Sequence, residues 1–161
     1  MKNHEVVKNW MSGTMRTGHN KSGFFRFTDD TIYSWNRPLG YKSHGYVFLY
    51  DSENASIESK RHVRELREVV DPFIIILCSR PDPSVEYRAK RIYEDLCTNA
   101  VIYYQKQKRA KNKLKNRDRI RDILRSLDNL QNWIQHLNNQ PILNFRTEYI
   151  LKLQEEFEKI K

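Results

Sequence analysis

The stretch that most constrains this fold runs from Gly23 to Arg67, where apolar and polar side chains first alternate and then recur at helical spacing. Phe25, Phe27, Ile32 and Tyr33 are set against Arg26, Thr28, Thr31 and Ser34, close to the period of two that gives a strand one buried and one wet face. Asp29-Asp30 between them predicts a tight turn, because short acidic side chains tolerate unusual backbone angles and bond their own amides. Tyr46 to Tyr50 supplies a third strand, and Trp35 and Phe48, large aromatics on strands, are expected in the core of the sheet. Ser56 and Ser59 then offer caps to a helix that carries Val63, Leu66 and Val70 at intervals of three and four.

The flanks follow the same logic. Val6, Val7, Trp10 and Met11 share one face of a short N-terminal helix, and Ser12 to Lys21 has the composition of a loop. Arg37-Pro38-Leu39-Gly40 is expected to interrupt the strands, since proline removes a ladder donor. Phe73 to Cys78 is an apolar, β-branched run stopped on both sides by proline, and predicts a strand buried on both faces inside the sheet. Beyond Pro83 the period changes. Val85, Ala89, Ile92, Leu96, Ala100 and Tyr103 or Tyr104 predict a long helix from about Ser84 to Gln107. Ile120, Ile123, Leu124, Leu127, Leu130, Trp133, Ile134 and Leu137 predict a second. Asn138 to Pro141 should end it, and Phe145, Tyr149, Leu151 or Leu153, Phe157 and Ile160 mark a last helix. The expected fold class is α+β, with a small antiparallel or mixed sheet in residues 1–83 and helices in residues 84–161, together one compact unit.

The chain of 161 residues can bury a real core, and its Lys and Arg outnumber Asp and Glu by 29 to 20. That excess of +9 is concentrated: residues 84–125 hold thirteen basic side chains against five acidic ones. Within them Lys106, Lys108, Arg109, Lys111, Lys113, Lys115, Arg117, Arg119 and Arg121 crowd into sixteen residues, opposed by Asp118 alone. Nine like charges repel unless something neutralises them, and a phosphate backbone does so while releasing condensed counterions. A solvated helix face or flexible hinge is the competing explanation, and in its favour Leu114 is the only large apolar residue before Ile120, so no core helix fits. Tyr103 and Tyr104 stand just before the run and are candidates for base stacking, although helical spacing makes at least one of them a core residue.

Candidate chemistry is sparse. His62 stands beside Lys60, Arg61 and Arg64, a grouping suited to holding an anion or, with a tyrosine, to metal-free cleavage of RNA by general acid and base action. Since no partner spacing supports catalysis, anion binding is the expectation. His19 and His44 lie in expected turns, and without an HExxH-type spacing no metal site is expected. The absence of a Gly-rich phosphate loop argues against a nucleoside triphosphatase, so no cofactor is expected. Cys78 and Cys97 form no CxxC pair and read as reduced thiols. The opening Met-Lys-Asn-His-Glu lacks an apolar run and no stretch reaches membrane-spanning length, so a cytoplasmic protein with no membrane partner is expected.

Asp30 to Trp35 with Pro38-Leu39-Gly40, Ser59-Lys60-Arg61-His62, and Phe73 to Leu77 before Pro81 together resemble an uncharacterised family of bacteriophage and mobile-element proteins. That family has an aromatic Tyr-Ser strand, a Ser/Thr-Lys-His helix start and an aliphatic strand ending near proline. Here Arg61 intervenes between lysine and histidine. The resemblance covers roughly residues 20–100 and implies a viral or mobile-element origin with no known activity. Three functions follow as expectations. The first is a non-enzymatic nucleic-acid-binding protein that uses the basic segment for phosphates and the aromatic sheet for stacking. The second is an inhibitor of a host defence system, an anti-CRISPR protein for example, that occupies a nucleic-acid or nucleotide surface of a nucleoprotein or defence protein. The third is a metal-independent nuclease centred on His62.

Overall fold

A computed structural model describes residues 1–112 and 114–137, together with Leu151, Glu155, Glu158 and Lys159. The expected break at Asn138–Pro141, and all of the last helix but those four positions, lie outside the described residues. The fold is α+β, with a six-stranded mixed sheet in the N-terminal half and helices in the C-terminal half. It divides into two compact units, Met1–Tyr87 and Arg88–Lys161, close to the change of period at Pro83.

In the first unit α1 (Asn3–Ser12) is followed by β1 (Thr17–His19), β2 (Phe25–Thr28), β3 (Thr31–Ser34), β4 (Arg37–Ser43) and β5 (Tyr46–Tyr50). These five strands form an antiparallel meander in sequence order. α2 (Ile57–Val69) then carries the chain back to β6 (Ile75–Cys78), which pairs parallel to β5. A parallel partner needs such a crossover, whereas the antiparallel neighbours need only tight turns. Asp29 accepts a left-handed φ of 50° in the β2–β3 turn, and His44 and Gly45 take φ values of 50° and 80° in the β4–β5 turn. At the start of α2 the Ser56 hydroxyl accepts the Ser59 amide at 3.2 Å, satisfying one orphan donor of the first turn.

Four expectations are corrected. Arg37-Pro38-Leu39-Gly40 does not interrupt the sheet but begins β4, because a register shift at Ile32/Tyr33 relieves the ladder opposite Pro38, which cannot donate. Within the expected loop, Thr17–His19 forms the edge strand β1, whose Gly18 lies flat against the Phe27 ring. β6 has all four side chains buried, as anticipated, yet it is the last strand in the order, so covered faces and not a central position account for its apolar run. Phe48 is fully buried, but Trp35 is 49% exposed. It sits in the turn after β3 with φ 57°, a geometry that swings its side chain off the sheet's buried face.

Val6, Val7 and Trp10 of α1 and Val63 and Leu66 of α2 are buried. The two helices pack on each other and on the sheet. A 3₁₀ turn at Pro83–Tyr87 ends the first unit, and in the second unit α3 (Ala89–Arg109) starts later than its apolar period implied. α4 (Arg117–Ile134) packs on α3 through Ile120, Ile123, Leu127, Leu130 and Trp133 among its buried residues. Among the described residues no helix is long and apolar enough to cross a membrane.

Candidate nucleic-acid interface

The basic run is split among three pieces of backbone. Lys106, Lys108 and Arg109 end α3, Lys111 and Lys115 lie in the connection, and Arg117, Arg119 and Arg121 open α4. Lys113 lies outside the described residues. The connection is compact because Gln107, buried near the end of α3, accepts the Asn116 amide on its Oε1 at 3.0 Å and donates from Nε2 to the Asn112 carbonyl at 3.5 Å. Asn112 in turn accepts the Leu114 amide at 2.9 Å. α3 and α4 therefore form a hairpin, and the basic residues gather at its tip.

Charge at the tip is only partly answered from within. Asp118 lies 3.4 Å from Arg121 and 3.9 Å from Arg117. Among the described residues, Lys106, Lys108, Arg109, Lys111 and Lys115 have no carboxylate partner, and all five are exposed. Cations in the last turn of α3 gain from the helix dipole, which has its negative end there. Arg117 and Arg119 stand at the opposite pole, the positive end of α4, where a cation is disfavoured. The dipole therefore favours the first group and not the second.

Tyr103 and Tyr104 are both 8% exposed, so neither offers a face to a base. Their rings are instead covered by cations: Lys106 Nζ and the Arg119 guanidinium lie 4.5 and 5.2 Å from the Tyr103 centroid, and Lys108 Nζ lies 4.9 Å from that of Tyr104. Cation–π attraction of this kind holds long side chains near the tip.

The second expected cluster does not assemble. Lys60, Arg61 and Arg64 are exposed on α2, with Arg61 3.7 Å from Glu58, while His62 is fully buried. A helix turns about 100° per residue, so His62 points roughly 200° away from Lys60 and into the core. There its Nδ1 shares a 2.7 Å hydrogen bond with the Ser34 hydroxyl, and its ring stacks on Phe25 at 4.3 Å. Among the described residues Nε2 has no hydrogen-bond partner. Burial, helped by the Arg61 charge and opposed by Glu58, pushes the His62 pKa below its ordinary value. A neutral, enclosed imidazole cannot meet a phosphodiester, so it is neither an anion ligand nor an accessible base.

A cleft of about 440 Å³ opens beside Tyr41, Lys42, His44, Tyr46 and Glu86. Burial and the Glu86 and Asp30 carboxylates push the Tyr41 pKa up to about 12, so its hydroxyl stays a donor, here to Glu86 at 3.4 Å. Among the described residues no group of three or more His, Cys, Asp or Glu could hold a metal ion.

Sequence reasoning missed a surface pair. Trp35 and Phe24, 49% and 40% exposed, stack with centroids 3.6 Å apart and planes at 16°. A signal was present: Trp35-Asn36 separates two strands by two residues, the position of a hairpin turn, where a side chain leaves the sheet. Compared with protein-family models, curated proteins and solved structures, the chain matches none of them.

Proposed function

We infer that this protein binds a nucleic-acid backbone through the tip of the α3–α4 hairpin, without enzymatic action on it. The observation that carries the inference is the set of exposed, carboxylate-free cations Lys106, Lys108, Arg109, Lys111 and Lys115 beside Arg117 and Arg119, which stand against the dipole of their own helix. An external polyanion relieves both the mutual repulsion and the unfavourable placement. Phosphate contact fixes position but carries no base information, so this site tolerates many sequences.

Changing Lys108, Arg109, Lys111 and Lys115 together to glutamine tests it, with binding to a duplex measured at about 50 and 200 mM salt. Each lost phosphate contact should lower the slope of log affinity against log salt by about 0.9, so four contacts remove between 3 and 4 units, roughly. Unchanged affinity and slope in a folded variant would show that the run is a solvated turn.

A further inference from the structure

We propose that the Phe24–Trp35 pair is a stacking platform for the unpaired bases of single-stranded nucleic acid, with Arg26 and Arg37 beside it for the phosphates. The proposal rests on the nucleic-acid reading above but uses a different surface, within the first unit.

Three observations converge on it. The pair is built rather than incidental: the indole lies on the Phe24 ring at 3.6 Å, its Nε1 donates to Glu58 Oε2 at 3.0 Å, and the Trp35 amide donates to the Phe24 carbonyl at 2.6 Å. One face and the polar edge of the indole are thus occupied, while the residue as a whole keeps 49% exposure. Second, Trp35 holds φ 57°, a left-handed conformation that a bulky residue adopts at a cost and that surrounding contacts must maintain. Third, the cations nearby lack counter-charge. The Arg26 guanidinium lies 4.8 Å over Tyr33 and reaches Asn36 at 3.4 Å. Arg37 lies 5.2 Å over Tyr50 and donates to its hydroxyl at 2.7 Å. Neither arginine has a carboxylate partner among the described residues.

A flat, half-exposed apolar ring, next to guanidinium groups preset by aromatic stacking and without carboxylate partners among the described residues, matches a base joined to a phosphodiester. Duplex DNA hides its base faces within the stack, so the platform selects single strands. It touches base faces and phosphates, which DNA and RNA strands share, and a DNA strand therefore serves as the probe.

Trp10 and Trp133 are fully buried, so intrinsic fluorescence that responds to a bound base reports Trp35. The experiment titrates the full chain with a 20-nucleotide DNA strand and, separately, with the same strand annealed to its complement. Quenching is expected with the single strand and not with the duplex. Trp35→Ala should weaken single-strand binding about tenfold or more while leaving duplex binding and the salt slope unchanged. Trp35→Phe, which keeps a flat ring, should restore most of the affinity. Salt-sensitive duplex binding with no single-strand quenching would overturn the platform and leave the hairpin site standing. Single-strand quenching without duplex binding would do the reverse. Wild-type single-strand affinity in Trp35→Ala, or a dimer whose formation alone changes Trp35 fluorescence, would equally overturn it, the dimer by showing that a second copy covers the pair.

Discussion

Lowering the pH from 7.5 to 5.5 should remove up to about 1.4 kcal/mol from the stability of the first unit through a single side chain, His62. The ring is fully buried, stacked on Phe25 and bonded to Ser34, with Nε2 lacking a partner among the described residues and the Arg61 charge close by. Burial is the main influence against the imidazolium, the Arg61 charge adds to it and the Glu58 carboxylate opposes it, so the folded pKa lies below the ordinary value. The unfolded chain, with a histidine pKa of about 6.5, takes up the proton first as the pH falls. Stability from the neutral ring is thus fully present above about 6.5 and declines below it, by up to about 1.4 kcal/mol per pH unit while the folded ring stays neutral. At 7.5 the unfolded histidine is almost uncharged, and at 5.5 it is mostly charged, which sets the upper limit. Urea titrations at pH 7.5, 6.5 and 5.5 measure it, provided the m-value stays constant. His62→Met, of similar bulk and unable to titrate, should flatten the profile over this window. A wild type that loses less than roughly 0.5 kcal/mol, or a methionine variant with the same slope, would refute the argument that the buried ring is held neutral.

Other substitutions probe other joints of the fold. Phe48→Ala, fully buried, should cost about 3 to 5 kcal/mol, whereas Trp35→Ala at the exposed turn should cost less than about 1 kcal/mol in the same denaturation assay. Gly18→Ala would set a Cβ 2.5 Å from the Phe27 ring and should destabilise by about 1 to 3 kcal/mol; an unchanged melting temperature would mean that β1 moves away freely. Gln107→Ala leaves the Asn116 amide and Asn112 carbonyl without this partner at the hairpin tip, for an expected loss of about 1 to 3 kcal/mol in thermal melting.

Much of the architecture was legible in the chain because it rests on local periodicity. The alternation from Phe25 to Ser34, the Asp29 turn, the Ser56 cap and the 3.6-residue stripes of α3 and α4 each depend on residues a few positions apart. The crowding of lysine and arginine around the α3–α4 connection was visible for the same reason. What local pattern could not supply was the neighbour across space. Pro38 looked like an interruption because the register shift that accommodates it exists only where β4 pairs with β3, and β1 looked like loop because Gly18 is explained by the Phe27 ring it lies against. His62 next to Lys60 and Arg61 in sequence resembled one cationic site. The rotation of α2 sends it inward to Ser34, twenty-eight residues away, and leaves the lysine and arginine in water. Trp35 departed from its expected role in the same manner, whereas the helical stripe already asked for one of Tyr103 and Tyr104 in the core and both are buried. A positive φ carried the tryptophan out of the core, while packing in the helical hairpin drew both tyrosines in, since burial is decided by what an element packs against and not by the side chain's own hydrophobicity.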